Sequence, residues 1–403
     1  MLWRSCGRWP RWIRTLESAV TEQYRAVAHV DLAAIAHNIA TLRKACDDRA
    51  FMAVVKANGY GHGMLPVART AREAGADYLG VAYPVEALTL RADGDRGPLL
   101  TWLYTPQDDL VPVIEQSVEL GVSSLADLTQ VAAAAEVAGN VPGIHLKIDT
   151  GLGRNGAMPT QWPGLLQRAA EAQRAGRVKI KGIWSHLASA DELQSPVTEL
   201  QLTQFDMALA MAEDLGIRPD VRHIANTAGA LAWPKSHYDL VRCGIGIYGL
   251  SPGPELGTSA ALGLVPAMTL SADIALVKSV PAGQGVSYGH RYHTESDTTL
   301  ALVPIGYGDG VPRSGSNRIP VQLNGRRYVV AGTIAMDQLV LDVGDAHVTA
   351  GDTVTLFGGG DLVPSAQDWA NASDTINYEI VTRITDRVPR VYSASESGPR
   401  TER

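Results

Sequence analysis

Ala53-Val54-Val55-Lys56-Ala57-Asn58-Gly59-Tyr60-Gly61-His62-Gly63 carries the chain from a short apolar run, through a lysine, into a glycine-rich turn. Residues 51–55 have the composition of a core strand, and an apolar pattern of helical period follows over 67–74. The stretch reads as one strand-turn-helix unit. An amine at the end of a buried strand loses part of its hydration, which lowers its pKa and frees its lone pair to attack a carbonyl. Taken alone, Lys56 reads at least as well as a strand-end lysine extended to water beside an ordinary turn.

The same alternation of short apolar runs and longer segments of helical period continues from residue 30 to residue 250. Eight strand candidates can be counted, at 51–55, 78–82, 99–104, 119–123, 144–149, 178–186, 221–225 and 240–248. Eight β-α repeats predict a closed (β/α)8 barrel of the TIM type, with an open doubly wound sheet as the alternative. Barrels place chemistry at the C-terminal ends of their strands, and Lys56, Asp149, His186, Asn226 and Arg242 fall there in this count. Ser251-Pro252-Gly253-Pro254 then punctuates the chain. Beyond it, runs at 272–280, 299–304, 319–323, 327–331, 338–343 and 353–357 predict a second, mainly β domain, with Asn324-Gly325 as a hairpin turn. The expected organisation is an unstructured extension 1–25, a barrel 26–255, a β-rich domain 256–395 and an unstructured tail 396–403. The strand around 26–31 can pair with the second domain.

Composition narrows the function classes. A chain of 403 residues is long enough for two cores. Hydrophobic residues at 45% and charged residues at 19% are ordinary for a globular protein and argue against disorder. A net charge of -7 offers no basic footprint for nucleic acid, so a small-molecule substrate is expected. Cys6, Cys46 and Cys243 are scattered and odd in number, which suggests a reducing cytoplasm and neither a disulfide framework nor a metal site. Arg4, Arg8, Arg11 and Arg14 lie among Trp3, Trp9 and Trp12 without the apolar run of a signal peptide. That stretch reads as an extension, with an interfacial helix as the other reading. No segment is apolar enough over sufficient length to suggest a membrane span.

Other motifs say little singly. Lys147 and Arg154, seven apart in His145-Leu146-Lys147-Ile148-Asp149-Thr150-Gly151-Leu152-Gly153-Arg154-Asn155-Gly156, mark nothing by spacing alone. Arg242-Cys243-Gly244-Ile245-Gly246-Ile247-Tyr248-Gly249 contains the GxGxxG spacing but runs into the domain boundary rather than opening a helix, so it is not read as a dinucleotide site. Its glycines can still bring backbone N–H groups to a phosphate. Further along come Gly285-Val286-Ser287-Tyr288-Gly289, Ile305-Gly306-Tyr307-Gly308-Asp309-Gly310 and Thr333-Ile334-Ala335-Met336-Asp337-Gln338.

In order along the chain, the segment from Lys56 to Gly63 and these later motifs closely resemble the signatures of alanine racemases, the racemase branch of the barrel-fold pyridoxal phosphate enzymes. The resemblance runs from about residue 31 to residue 392 and ends with Asn377-Tyr378-Glu379 and Arg387-Val388-Pro389-Arg390. It implies a homodimer with shared active sites, pyridoxal 5'-phosphate bound to Lys56, and interconversion of L- and D-alanine for peptidoglycan. By the same resemblance Tyr60, Thr227, Gly244, Ile245 and Tyr378 bind the phosphate. Arg242 faces the pyridine nitrogen, and His186 and Asn226 lie near the cofactor.

Arg154 is expected to hold the substrate carboxylate, supported by Lys147, which can carry a carbamate. Inversion of a stereocentre needs a proton acceptor on one face and a donor on the other. Tyr288 is the implied second base, opposite Lys56, while the loops of Tyr307, Met336 and Asp337 line a substrate entrance contributed across subunits, with Met336 near the bound amino acid and Tyr307 and Asp337 in support. Gly308 and Ala335 stand where the family often has Ala and Cys, and Arg291 adds charge near the entrance, which bears on substrate preference. The alternatives are a serine or broad-specificity racemase and a non-catalytic pyridoxal phosphate-binding protein. The latter would need neither Tyr288 nor a second domain.

Overall fold

The structure, a computed structural model, describes residues 24–393 except Asp48. The expected extension, apart from Tyr24 and Arg25, and the expected tail 396–403 lie outside the described residues. The chain enters through β1 (Ala26–Asp31), whose last residue caps the helix Leu32–Ala45: Asp31 accepts from the N–H groups of Ala33 and Ala34 at 2.8 and 3.1 Å. That helix buries Ala34, Ile35, Asn38, Ile39 and Leu42, one stripe at helical spacing.

Eight parallel strands follow: β2 (Ala50–Val54), β3 (Tyr78–Val81), β4 (Leu99–Thr101), β5 (Glu119–Val122), β6 (Gly143–Lys147), β7 (Lys179–Trp184), β8 (Val221–His223) and β9 (Leu240–Cys243). Their order in the sheet is β8-β7-β6-β5-β4-β3-β2-β9. The outermost two strands meet through bonds from Asp239 N to the Arg222 carbonyl at 3.1 Å and from Arg242 N to the Ala225 carbonyl at 3.0 Å, which join the sheet into a barrel. These strands are apolar runs rather than alternating ones because helices cover the outside while side chains fill the inside. β9 is buried throughout.

The region 240–248, expected as one strand, stops at Cys243. Gly244 turns at φ -105°, ψ -93°, and Ile245–Tyr248 form a 3-10 turn instead. The expected strand 272–280 is likewise divided, into β10 (Met268–Asp273) and β11 (Leu276–Val280), which belong to different sheets. The remaining strands are β12 (Thr298–Val303), β13 (Pro320–Leu323), β14 (Arg326–Val329), β15 (Leu339–Gly344), β16 (Thr353–Phe357) and β17 (Arg390–Ser393).

A six-stranded sheet runs β14-β13-β16-β10-β1-β17, beside a three-stranded sheet β11-β12-β15. β1 thus hydrogen-bonds into the second domain, antiparallel to β10 and parallel to β17, although its sequence precedes the barrel. Asn324 and Gly325, at φ 49° and 75°, make the tight turn of the β13–β14 hairpin. Two helices, Ala366–Ser373 and Asn377–Thr382, also belong to this region; Ser365 and Asp368 form a capping box at the first. Among the described residues no helix is long and apolar enough to cross a membrane.

Candidate active site

Lys56 follows β2 directly, and the chain behind it winds the wrong way. Ala57, Asn58, Gly59 and Tyr60 lie at φ 53°, 53°, 61° and 50°, a left-handed turn in which each residue with a Cβ costs about 1–2 kcal/mol. Local bonds offset that strain: Gly59 N donates to the Val55 carbonyl at 2.9 Å, Gly61 N to Ala57 at 3.0 Å, and Gly63 N to Asn58 at 2.8 Å. The Asn58 side chain accepts from Met64 N at 3.0 Å and starts the next helix. Glu86 secures the turn from outside, accepting from Ala57 N at 2.7 Å and, through its other oxygen, from Ala82 N and Tyr83 N at 3.0 Å each. The half-buried Lys56 ammonium lies 5.9 Å from the ring centre of Trp102. Burial first, then the Arg154 charge, lowers its pKa, against an opposing pull from Glu86.

At one side of this mouth, Gly244 N donates to Thr227 Oγ1 at 3.1 Å. A Cβ at Gly244 would lie 2.3 Å from the Tyr60 hydroxyl, so only glycine fits beneath that ring. Tyr60 stacks on Tyr248 at 4.8 Å and sits 6.4 Å from Tyr378. Burial pushes the Tyr60 and Tyr378 phenols up, which keeps both hydroxyls protonated and able to donate. Asn226 caps the short helix Thr227–Ala232 by accepting from Gly229 N at 2.9 Å. Hydroxyls and peptide N–H groups around a side-chain-free floor, extending into Ile245, make a cradle whose chemistry fits a phosphate.

On the other side stand the cations. Arg242 Nη2 donates to the carbonyls of Ser185 at 2.8 Å and Ile224 at 3.2 Å and approaches His186 Nδ1 at 3.2 Å. Its guanidinium lies 4.9 Å from the Trp184 ring centre, and burial pulls its pKa down to about 9, so it stays charged at neutral pH. Lys147 lies over the same indole at 4.4 Å. Burial, then Arg242 and Arg154, bring its amine down to about 7. His186 is held well below its ordinary value by burial and the Arg242 charge and is neutral. Arg154 is exposed on a loop shaped by Asp149, which accepts from the N–H groups of Gly151 and Gly153, each at 2.9 Å. This concentration of positive charge suits an anionic ligand.

Lys56, Tyr60, Lys147, Arg154, His186, Asn226, Thr227, Arg242, Gly244, Ile245 and Tyr378 thus share one end of the barrel. Four other expected residues do not join them. Tyr288 is 72% exposed and Met336 52%, on a face of the second domain. The loops there hold one another. Thr333 Oγ1 donates to the Tyr288 carbonyl at 2.8 Å, Tyr307 N to Ala335 at 3.0 Å, and Gly308 N to Met336 at 2.8 Å. Asp337 pairs with Arg387 at 2.6 Å. Among the described residues, no hydrogen bond, ion pair or ring contact joins this group to the barrel mouth.

Glu86, Trp102, Trp184 and His223 were not singled out from the sequence. Glu86 had a signal in the Tyr83-Pro84-Val85-Glu86 spacing of a helix start, and Trp184 lies two residues before His186.

Comparison with known proteins covers both domains. The alanine racemase N-terminal domain family matches residues 30–252, and the alanine racemase C-terminal domain family matches residues 267–392. This chain belongs to the alanine racemase family. Family membership makes it an isomerase acting on an amino acid. The chain is 51% identical to the alanine racemase of Frankia casuarinae over 91% of its length and 96% of that protein. It is 50% identical to the alanine racemase of Streptomyces coelicolor, over 91% of this chain and 96% of the relative. The crystal structure of alanine racemase from D-cycloserine-producing Streptomyces lavendulae superposes with a TM-score of 0.91 at 52% identity, covering 92% of this chain and 98% of that one.

Proposed function

We propose that the chain interconverts L-alanine and D-alanine in the cytoplasm, with pyridoxal 5'-phosphate at the barrel mouth, and supplies D-alanine for peptidoglycan. The observation that carries this reading is the placement of Lys56, its pKa lowered by burial, between a phosphate-fitting cradle and a group of buried cations. Pyridoxal phosphate, when bound, supplies an electron-withdrawing ring that acidifies the substrate Cα–H. Tyr60, Thr227, Tyr378 and the peptide groups of Gly244 and Ile245 would hold its phosphate, and Lys56 its aldehyde carbon. Arg242 would meet the ring nitrogen and, being a cation, leave that nitrogen unprotonated and the ring a moderate electron sink. Moderation favours return of the proton to Cα over loss of the amino group.

Arg154 has the planar donor fork to orient a substrate carboxylate. Lys56 would exchange the Cα proton on one face and Tyr288 on the other. Tyr288 lies apart from Lys56 within one chain and is exposed, which supports a homodimer in which its phenol enters the partner's barrel, accompanied by Tyr307, Met336 and Asp337. Chiral analysis of the products from a panel of small L-amino acids tests the reaction, with D-alanine from L-alanine as the expected dominant product. Turnover of serine without turnover of alanine would reverse the substrate assignment.

A further inference from the structure

Behind Arg242 a second polar group crosses the barrel interior. Arg242 Nη1 is 3.0 Å from His223 Nδ1, His223 Nε2 is 2.8 Å from His145 Nδ1, and His145 Nε2 is 2.6 Å from Glu119 Oε2. Both imidazoles are fully buried, whereas the Glu119 side chain retains 13% exposure at the start of β5. The path therefore runs from the charged mouth of the barrel towards its opposite end.

The direction of every bond along it is forced. A guanidinium has donors only, so His223 Nδ1 must present its lone pair and carry its proton on Nε2. That proton is donated to His145 Nδ1, which leaves the His145 proton on Nε2, facing the carboxylate. With two neutral rings, no other arrangement satisfies all three contacts. Burial and the Arg242 charge hold His223 well below its ordinary pKa, consistent with a neutral ring.

The surrounding strands make room for this path and brace it. Gly182 on β7 lies beside His145 in the strand register, and a Cβ there would fall 2.1 Å from His145 Nδ1. Trp184, two residues on, stacks on His223 at 5.5 Å with the planes 9° apart, and its Nε1 donates to the His145 carbonyl at 3.3 Å. The same indole carries Arg242 on its face. Glu119 also feels Lys181, Arg91 and Tyr78, so a purely structural role for its charge is the alternative to be separated by experiment.

We propose that Glu119 and His145 are positioning residues for Arg242: the carboxylate fixes the tautomer of His145 from one end as the guanidinium favours that of His223 from the other, so the bonds keep one direction and the guanidinium is held on a lone pair at the barrel mouth. For its effect on turnover, though not for the bonding itself, the inference rests on Arg242 being the partner of the cofactor ring.

The test is nitrogen NMR of the holoenzyme labelled with ¹⁵N-histidine, the two rings being assigned by the signals lost in His145→Asn and His223→Asn. In the unsubstituted enzyme both rings should be Nε2–H tautomers throughout neutral pH. Glu119→Gln replaces the carboxylate with an amide that can donate as well as accept, so only the guanidinium end still favours one direction and an Nδ1–H population should appear beside the Nε2–H tautomers. In the same variant kcat should fall about tenfold with KM little changed, as for other groups that orient a residue without touching the ligand. Gly182→Ala should disturb the same two signals with Glu119 intact. An Nδ1–H tautomer for His223 in the unsubstituted enzyme, or unaltered tautomers in both variants, would overturn the proposal. The first of these measurements needs the two assignment variants but neither Glu119→Gln nor Gly182→Ala. Altered tautomers with unaltered turnover would keep the relay and overturn the assignment of Arg242 to the cofactor ring.

Discussion

At the barrel mouth, the side chains proposed to bind and react are largely buried and tied to backbone, indole faces and one another. At the second-domain face the backbone is equally well tied, yet the Tyr288 ring is 72% exposed. The first arrangement is complete within one chain, because strand ends, a left-handed turn and a side-chain-free floor set every position. The second presents a phenol at a defined place but supplies none of its surroundings. A phenol left in water touches no substrate, so the second face becomes functional only against another surface. The fold thus divides the proposed reaction between a preformed pocket and a preformed plug.

Removing the pocket's reactive amine gives the largest expected effect. Lys56→Ala should lower racemisation by about 10⁴-fold or more, since one side chain supplies both the cofactor link and a proton carrier. Borohydride reduction and peptide mapping of the unsubstituted enzyme should place the pyridoxyl adduct on Lys56; an adduct on another lysine would show that the pocket's reactive amine is not Lys56.

Next comes the plug. Tyr288→Phe should cost about 10²–10³-fold in kcat while the cofactor remains bound, as expected for loss of one general acid or base. A hybrid dimer of one Lys56→Ala chain and one Tyr288→Phe chain tests which subunit the tyrosine serves. If the tyrosine acts across subunits, both lesions fall in one site and the other is intact, so turnover returns from two nearly inactive parents. Verified hybrids that stay inactive would place both groups of each site in the same chain and rule out a tyrosine that acts across subunits.

A smaller change tests the floor of the cradle. Gly244→Ala sets a methyl group 2.3 Å from the Tyr60 hydroxyl, and overpacking of this kind costs about 1–3 kcal/mol. Cofactor retention, followed by dialysis and absorbance, should weaken by about 10–100-fold, with the second-domain face untouched. Unchanged retention would mean that the phosphate does not use this cradle.

The two regions were not equally legible from the sequence. Parallel barrel strands are short apolar runs separated by helical periods, so all eight could be counted, with errors mainly at their ends. The exception at 240–248 is instructive: its apolar composition continues past Cys243, but the Gly244 turn ends the strand, a conformational choice that hydrophobic pattern does not record. The left-handed winding of residues 57–60 was equally hidden, because Ala57, Asn58 and Tyr60 give no warning of positive φ. The place of β1 in the distant sheet could be suggested but not established from pattern, since pairing across more than two hundred residues leaves no local trace. Trp184, Trp102 and Glu86 act through geometry on residues far away in sequence. Only the family signatures drew attention to Tyr288, whose exposure in one chain shows why no local pattern marks it.

The smallest expected effect concerns Lys147, where the pocket's own electrostatics prepare a further modification. Burial and two arginines bring this amine to about 7, so near neutral pH about half of it is uncharged. A neutral amine adds to carbon dioxide and releases a proton, giving a carbamate whose negative charge would face Arg154 and help to orient it. In ¹³C-bicarbonate the enzyme should show a carbamate resonance at mildly alkaline pH that fades as pH falls through about 7 and is missing in Lys147→Met. If the carbamate's contact with Arg154 contributes as much as one typical hydrogen bond, kcat/KM should fall by about tenfold or less in that variant. Stability gives an independent reading on protein kept free of bicarbonate. The unfolded chain holds the lysine proton up to a pH of about 10.4, whereas the folded chain releases it near 7, so between those values the unfolded state binds more protons and stability contributed by this group rises with pH. Below about 7 the full penalty of a buried ammonium persists. Lys147→Met should therefore raise Tm most on the acid side, with the advantage shrinking as pH rises. A constant Tm difference across that range would show that the amine is not the strained cation its surroundings imply, and would remove the physical basis for its carbamylation.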